Sequence, residues 1–281
     1  MSYVIIGVHG LANKPPKDKH AQDWVAAIKE GLTRNCSLSL QSINFAPVHW
    51  ADINYESPLD PDDEPYIPTP TGQPIKTYRD GWLDVLRAYV SDVPGDMLQK
   101  AKEWFGLDPI TEAVLSKKLT DLGRYYNSNK NRTILRGMVK DTVNDNKKKR
   151  ITLIAHSMGS IISYDALREL GQGDINLRVE NFVTIGSPLG LPTVAAKISD
   201  EWKLLRTPSI VKRWINLSDP RDPVAFDTHL RNDYEANDQN VRVEDDLVLN
   251  NYIGPDNKPN HHKIYGYLRC PEMSELIRGI L

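Results

Sequence analysis

Short apolar runs of strand length alternate with amphipathic segments of helix length along most of this 281-residue chain. The strand-like runs cover residues 4–8, 43–50, 151–155, 181–185 and 211–217, and a further strand pair is predicted around residues 241–253. Helical periodicity covers residues 22–32, 133–144, 160–170 and 271–281. Buried parallel strands are typically continuous apolar runs joined by helices. The alternation therefore predicts an α/β fold, with a mostly parallel sheet and helices on both faces.

One long segment interrupts this alternation. Residues 56–75 contain six prolines and an acidic stretch at 60–64, a composition typical of a surface loop. Amphipathic helices are predicted next, with Trp82, Trp104 and Phe105 on their apolar faces, either as core or as an acyl-binding surface. We therefore expect a core of residues 1–51 and 120–281, with residues 52–119 inserted as a helical cap or lid.

Composition excludes several classes of function. The formal net charge is −2, so no overall positive field favours nucleic acid. No apolar run reaches the roughly 18 residues that a membrane span needs. The first apolar run follows Tyr3 without a basic lead-in, so no secretory signal is expected. Two cysteines are too few for a disulfide framework, and we expect a cytoplasmic protein with reduced thiols.

The segment ITLIAHSMGS, residues 151–160, carries the strongest chemical signal. A predicted buried strand leads into Ser157, and a predicted helix follows it. Two small residues, Ala155 and Gly159, lie two positions before and two positions after the serine. Small residues at those positions allow the strand and the helix to approach closely. Such a strand–serine–helix turn exposes the serine hydroxyl, which requires a base to become a nucleophile and donors for the resulting oxyanion.

With these motifs the chain resembles the α/β-hydrolase superfamily, in particular its serine esterase and lipase-like branch. The resemblance covers most of the chain apart from residues 52–119, although Ala155 stands where the family usually has glycine. It implies that Ser157 is the nucleophile. It also makes the strand at residues 4–8 equivalent to the family's third strand, so we expect a reduced sheet of about six or seven strands.

The resemblance also implies an oxyanion hole. One donor is the backbone amide of Met158, directly after the nucleophile. The loop at residues 8–12 resembles the family's His-Gly oxyanion loop and offers the amide of Leu11, with Gly10 as the alternative. His9 is interpreted as a structural residue of this loop rather than as the base, since the family order is serine, acid, histidine.

That order leaves two choices for the acid and two for the base. Asp222 is favoured as the acid because it lies on the loop after a sheet strand in an Asp-x-Val pattern, and Asp219 is the alternative. His262 is favoured as the base because it lies on the loop before the last helix, and His261 is the alternative. The turn at residues 186–190 is expected to shape the rim of the pocket.

The predicted function is hydrolysis of a carboxylic ester through an acyl-enzyme intermediate, with a small-molecule or lipid acyl substrate and with no metal or organic cofactor. Acyl transfer and the hydrolysis of thioesters or amides use the same triad and stay open. A non-catalytic binding protein with this fold is the remaining alternative.

Overall fold

A six-stranded sheet forms the centre of the molecule in the computed structural model, which describes residues 2–63, 65–79, 121–173, 176–225 and 227–281. All neighbouring strands are parallel, in the order β2-β1-β3-β4-β5-β6. The strands are β1 (Tyr3–Val8), β2 (Phe45–Val48), β3 (Arg150–His156), β4 (Asn181–Ile185), β5 (Trp214–Ser218) and β6 (Val243–Leu247). The sheet confirms the predicted α/β class and the predicted strand number.

Helices connect the strands and cover the sheet. They are α1 (Lys17–Cys36), the short α2 (Ala51–Asn54), α3 (Asn129–Asp145), α4 (Met158–Leu170), α5 (Pro192–Trp202), α6 (Ile264–Arg269) and α7 (Pro271–Arg278). Residues 121–127 are also helical. Within the described part of the chain, none of the helices has the length and apolarity that crossing a membrane requires.

Two apolar clusters, one on each face of the sheet, make up the core. Ile5 contributes to one cluster and its neighbours Val4 and Ile6 contribute to the other, because successive side chains of a strand point to opposite faces. Helices α1, α6 and α7 pack on the first face, and α3, α4 and α5 pack on the second. Helices therefore cover both faces, as the alternation predicted.

Pro47 lies in β2, the edge strand beside β1. Proline in a sheet is expected at an edge or at a bulge, because it has no amide to donate to a second neighbour. The edge position is confirmed.

The structure differs from the sequence prediction at two places. The expected strand pair around residues 241–253 is a single strand, β6, after which the chain turns so that the Asn250 amide reaches Asp219. The expected last helix, residues 271–281, is α7, which begins at Pro271 and ends at Arg278, but the short helix α6 just before it was not predicted. Cys270 separates the two helices with an extended ψ of 155°, because a residue before proline avoids the helical region.

The proline-rich segment contains turns and irregular structure where it is described after α2, and it is attached to the core. Tyr252 donates a hydrogen bond to the carbonyl of Pro65 (2.7 Å), Arg269 donates to the carbonyl of Ile67 (2.8 Å), and the Tyr66 ring packs edge-on against another aromatic ring. The helices predicted around Trp82, Trp104 and Phe105 lie outside the described residues. The inserted cap stays a prediction.

Candidate active site

Ser157 stands on the turn between β3 and α4. Its backbone φ of 54° and ψ of −129° are rare for a residue with a side chain, so the turn is strained. Gly159 makes the tight turn possible, because a Cβ there would lie 2.6 Å from the carbonyl oxygens of Val8 and His9. The serine therefore lies at the carboxyl ends of the strands and at the amino end of α4, where the helix dipole favours negative charge.

Three side chains from three separate loops meet at this edge. The Nε2 of His262 lies 3.1 Å from the Oγ of Ser157, and its Nδ1 lies 2.9 Å and 3.0 Å from the two carboxylate oxygens of Asp222. Because a carboxylate only accepts hydrogen bonds, Nδ1 carries the proton and Nε2 can accept the proton of the serine hydroxyl. This is the geometry and the tautomer that a general base requires.

The two alternative residues lie nearby in other hydrogen bonds. The buried carboxylate of Asp219 accepts from the Arg221 guanidinium (2.6 and 2.9 Å) and from the amide of Asn250 (2.6 Å). The Nδ1 of His261 lies 3.0 Å from the carbonyl of Asn250. The hydrogen-bonded chain that ends at Ser157 thus contains Asp222 and His262.

The predicted oxyanion loop lies directly against the serine. A Cβ on Gly10 would lie 2.7 Å from the Cβ of Ser157, so only glycine allows this approach. Gly10, Leu11 and Met158 all line the cleft beside the serine. The Nζ of Lys14 donates to the carbonyls of Leu11, Ala12 and Asn13, at 2.5, 3.2 and 3.1 Å. These lysine hydrogen bonds were not predicted from the sequence, although a lysine four residues after Gly10 was a signal for them.

His9 holds the oxyanion loop from the other side. Its Nδ1 donates to the carbonyl of Gly10 (2.8 Å), and its Nε2 accepts from the amides of Trp50 (3.0 Å) and Ala51 (3.2 Å). Burial, together with the nearby His20 and Lys14, lowers the pKa of His9 well below 6.5. A neutral His9 satisfies both hydrogen-bonding roles, in agreement with its interpretation as a structural residue.

Tyr267 on α6 contacts the acid directly. Its hydroxyl accepts from the amide of Asp219 (3.1 Å), so its single proton is directed to the Oδ2 of Asp222, 2.7 Å away. Burial and the nearby Asp222 raise the pKa of Tyr267 well above 10, which keeps it a donor. Gly186 has a φ of 51° and leaves room for the acid, since a Cβ there would lie 2.7 Å from Oδ2. The local sequence Gly-Tyr-Leu at 266–268 does not predict the contact between Tyr267 and Asp222.

His156, the residue before the nucleophile, supports the base. Its Nε2 donates to the backbone carbonyl of His262 (2.9 Å), and the two rings pack with centroids 4.7 Å apart. Burial lowers the pKa of His156 well below 6.5, and the neighbouring His262 lowers it further. A neutral ring at this position adds no positive charge beside the imidazole of His262.

The Ser157 side chain opens into a cleft of about 690 Å³. Its lining includes the apolar residues Leu122, Met158, Ile161, Pro188, Leu191 and Val224. It also includes polar and charged residues, among them Asp63, Asp256, Lys258, Asn260 and Lys263. Pro188 belongs to the turn that the sequence analysis expected at the rim. Among the residues that the structure describes, no group of three or more histidine, cysteine, aspartate or glutamate side chains is arranged to hold a metal ion.

The all-parallel sheet, with a serine on the turn after a central strand, defines an α/β-hydrolase fold. Residues 117–201 match the model of a protein family described as "Alpha/beta hydrolase of unknown function (DUF900)". The matched segment includes β3, Ser157 and α4, and it ends before Asp222 and His262. A search of curated proteins finds no match to the chain.

Proposed function

We propose that the protein is a serine hydrolase that cleaves carboxylic esters through an acyl-enzyme intermediate. The observation that carries the proposal is the continuous hydrogen-bonded chain from the Oγ of Ser157 through His262 to Asp222, at the opening of the cleft. Each member has the partner that the chemistry needs: a nucleophile beside a base, and a base oriented by a carboxylate.

In the proposed mechanism His262 takes the hydroxyl proton of Ser157 as the serine oxygen attacks the ester carbonyl. The amides of Met158 and Leu11 stabilise the negative charge that forms on the carbonyl oxygen. The tetrahedral intermediate then loses the alcohol, which receives the proton from His262, and an acyl-serine ester is left. Asp222 stabilises the imidazolium while it is charged. Water, deprotonated by His262, then attacks the acyl-serine; the carboxylic acid leaves, and His262 returns the proton to the Oγ of Ser157.

The apolar residues that line the cleft support an apolar acyl group in the substrate. They include Met158, the residue directly after the nucleophile, together with Ile161 and Leu191. Burying one methylene against such residues contributes about 0.8 kcal/mol. The polar lining residues, such as Asn260 and Lys258, suit the alcohol part of the ester.

The test is steady-state hydrolysis of p-nitrophenyl acetate, butyrate and hexanoate. We expect kcat/KM to rise with acyl length, and Ser157→Ala to reduce kcat by on the order of 10⁴-fold or more, because triad members act as a unit. Ser163→Ala is the matched control, since Ser163 is a buried serine on the same helix without a hydrogen-bond partner among the described residues. Equal turnover by Ser157→Ala and wild type would contradict the proposal.

A further inference from the structure

We propose that Asn250 is a positioning residue that sets the place of the His262 imidazole, an inference that rests on the proposed triad. Asn250 lies beyond β6, and its side chain is fully buried. Its Nδ2 donates to the carbonyl of His261 and to the carbonyl of Lys263, both at 2.8 Å. These two carbonyls flank His262, so one amide group fixes the backbone on both sides of the base.

Asp219 links Asn250 to the proposed catalytic acid, Asp222. Its Oδ2 accepts the backbone amide of Asn250 at 2.6 Å, and its own amide donates to the Tyr267 hydroxyl, which in turn donates to Asp222. The loop that carries the acid and the loop that carries the base are therefore joined by hydrogen bonds between buried groups. Asp219, the alternative candidate for the acid, has in this proposal the role of linking the two loops.

The fold provides a fitted space for the Asn250 side chain. A Cβ on Gly266 would lie 1.6 Å from its Oδ1, so the absence of a side chain at Gly266 leaves the space that the Asn250 amide occupies. The Oδ1 accepts the amide of Tyr252 at 3.2 Å, which determines which end of the Asn250 amide faces the His262 loop. The side chain is thus held in one orientation, with both Nδ2 protons directed at the loop.

Asn237 is a matched control within the same chain. Its Nδ2 also donates to two backbone carbonyls, those of Pro208 (3.2 Å) and Val211 (3.1 Å). Its Oδ1 accepts backbone amides, and its side chain is also buried. The carbonyl partners precede β5 and the amide partners precede β6, so both lie near the amino ends of strands, whereas the triad lies at the carboxyl ends. Replacing Asn237 removes the same kinds of bond without touching the His262 loop.

The experiment compares Asn250→Ala with Asn237→Ala. We expect both variants to lose similar stability, while only Asn250→Ala loses kcat, by on the order of 10²-fold, since a small misplacement of a catalytic group has that effect. KM for p-nitrophenyl butyrate should change far less than kcat. Asn250→Ser, which keeps one short donor, should recover part of the rate and serves as the second variant if Asn250→Ala does not fold.

A second readout is independent of turnover. The His262 Nδ1 proton, shared with Asp222, should give a downfield ¹H NMR resonance in wild type and in Asn237→Ala, and that resonance should disappear in Asn250→Ala. Wild-type kcat together with a retained resonance in folded Asn250→Ala would overturn the inference. A wild type that shows the resonance but hydrolyses no ester would overturn the proposed function. In that case, loss of the resonance in Asn250→Ala would still support the positioning role of Asn250.

Discussion

Ser157 occupies its strained conformation because residues without a Cβ surround it. Gly10 allows the oxyanion loop to approach the serine, Gly159 allows α4 to pass the end of β1, and Gly186 leaves room for the carboxylate of Asp222. A positive φ at a serine is held only when the surrounding structure determines it. The strain is consistent with a residue that has to present its hydroxyl to a cleft rather than pack in the core.

At the scale of single residues we predict that Tyr267→Phe reduces kcat/KM for p-nitrophenyl butyrate by roughly ten-fold. The change removes a hydrogen bond to a buried carboxylate, and bonds to charged groups contribute about 1.5–3 kcal/mol. Tyr234→Phe is the control, because Tyr234 is equally buried and its hydroxyl donates to the carbonyl of Leu189 (3.0 Å). Equal loss of activity in the two variants would show that Tyr267 has no specific role at the acid.

The sequence favoured Ser157 because of its strand–turn–helix context, Asp222 because it lies on the loop after a strand, and His262 because it lies on the loop before the last helix. It could not find Tyr267 or Asn250 as partners of the triad. Their hydrogen bonds join residues far apart in the chain, and such contacts depend on how helices and loops pack rather than on any local pattern.

At the scale of elements, Arg136 joins three helices on one face of the sheet. From α3 it donates to Asp165 on α4 (2.6 Å) and to Glu201 on α5 (2.6 Å). Burial raises the pKa of Asp165 despite the nearby guanidinium. The side chains of Arg136 and Asp165 are only 4% and 1% exposed, so each buried charge is stabilised by the other rather than by water.

We therefore predict that Arg136→Ala lowers the free energy of unfolding by about 3–5 kcal/mol, because it leaves a buried carboxylate without its cation. Arg213→Ala is the control: its ion pair with Glu244 is about half exposed, and such pairs contribute at most about 1 kcal/mol. Urea unfolding of both variants measures the difference. Similar losses would mean that the Arg136 network does not stabilise the helix packing.

The elements themselves were largely predictable, since buried parallel strands and amphipathic helices have distinct periods. Strand β4 has the predicted bounds, whereas α1 and α3 extend by several residues beyond the periodic segment that indicated them. Polar residues at helix ends are compatible with either helix or loop, so periodicity cannot set those limits. At β6 the sequence predicted a strand pair rather than one strand. The sequence of β6, VEDDL, lacks the continuous apolar run that identifies a buried strand.

At the scale of the whole molecule, three of the four buried histidines among the described residues make stability depend strongly on pH. Burial lowers the pKa of His9, His20 and His156 well below 6.5, and it also lowers the pKa of His49. Below pH 6.5 the unfolded chain therefore binds protons that the folded protein does not, and folding becomes less favourable as pH falls. Each such histidine contributes a slope of about 1.4 kcal/mol per pH unit within that window.

We predict that the free energy of unfolding is nearly constant from pH 8.5 to 7.5 and decreases markedly between pH 6.5 and 5.5. This window lies above 4.5, the ordinary pKa of the glutamates whose pKa is lowered, Glu30, Glu169, Glu201 and Glu275, so those carboxylates stay ionised there. Urea unfolding at each pH is the measurement. A free energy of unfolding that is unchanged at pH 5.5 would contradict the assignment of three neutral, buried histidines.

The central claim is that the fold activates Ser157, and its most direct test is labelling by a fluorophosphonate followed by intact-mass measurement. The reagent forms a bond to a serine oxygen only when that serine is activated by a base. We expect one adduct on folded wild type, none on Ser157→Ala and none on urea-unfolded wild type. An unlabelled folded wild type, or a Ser157→Ala variant that is still labelled, would contradict it.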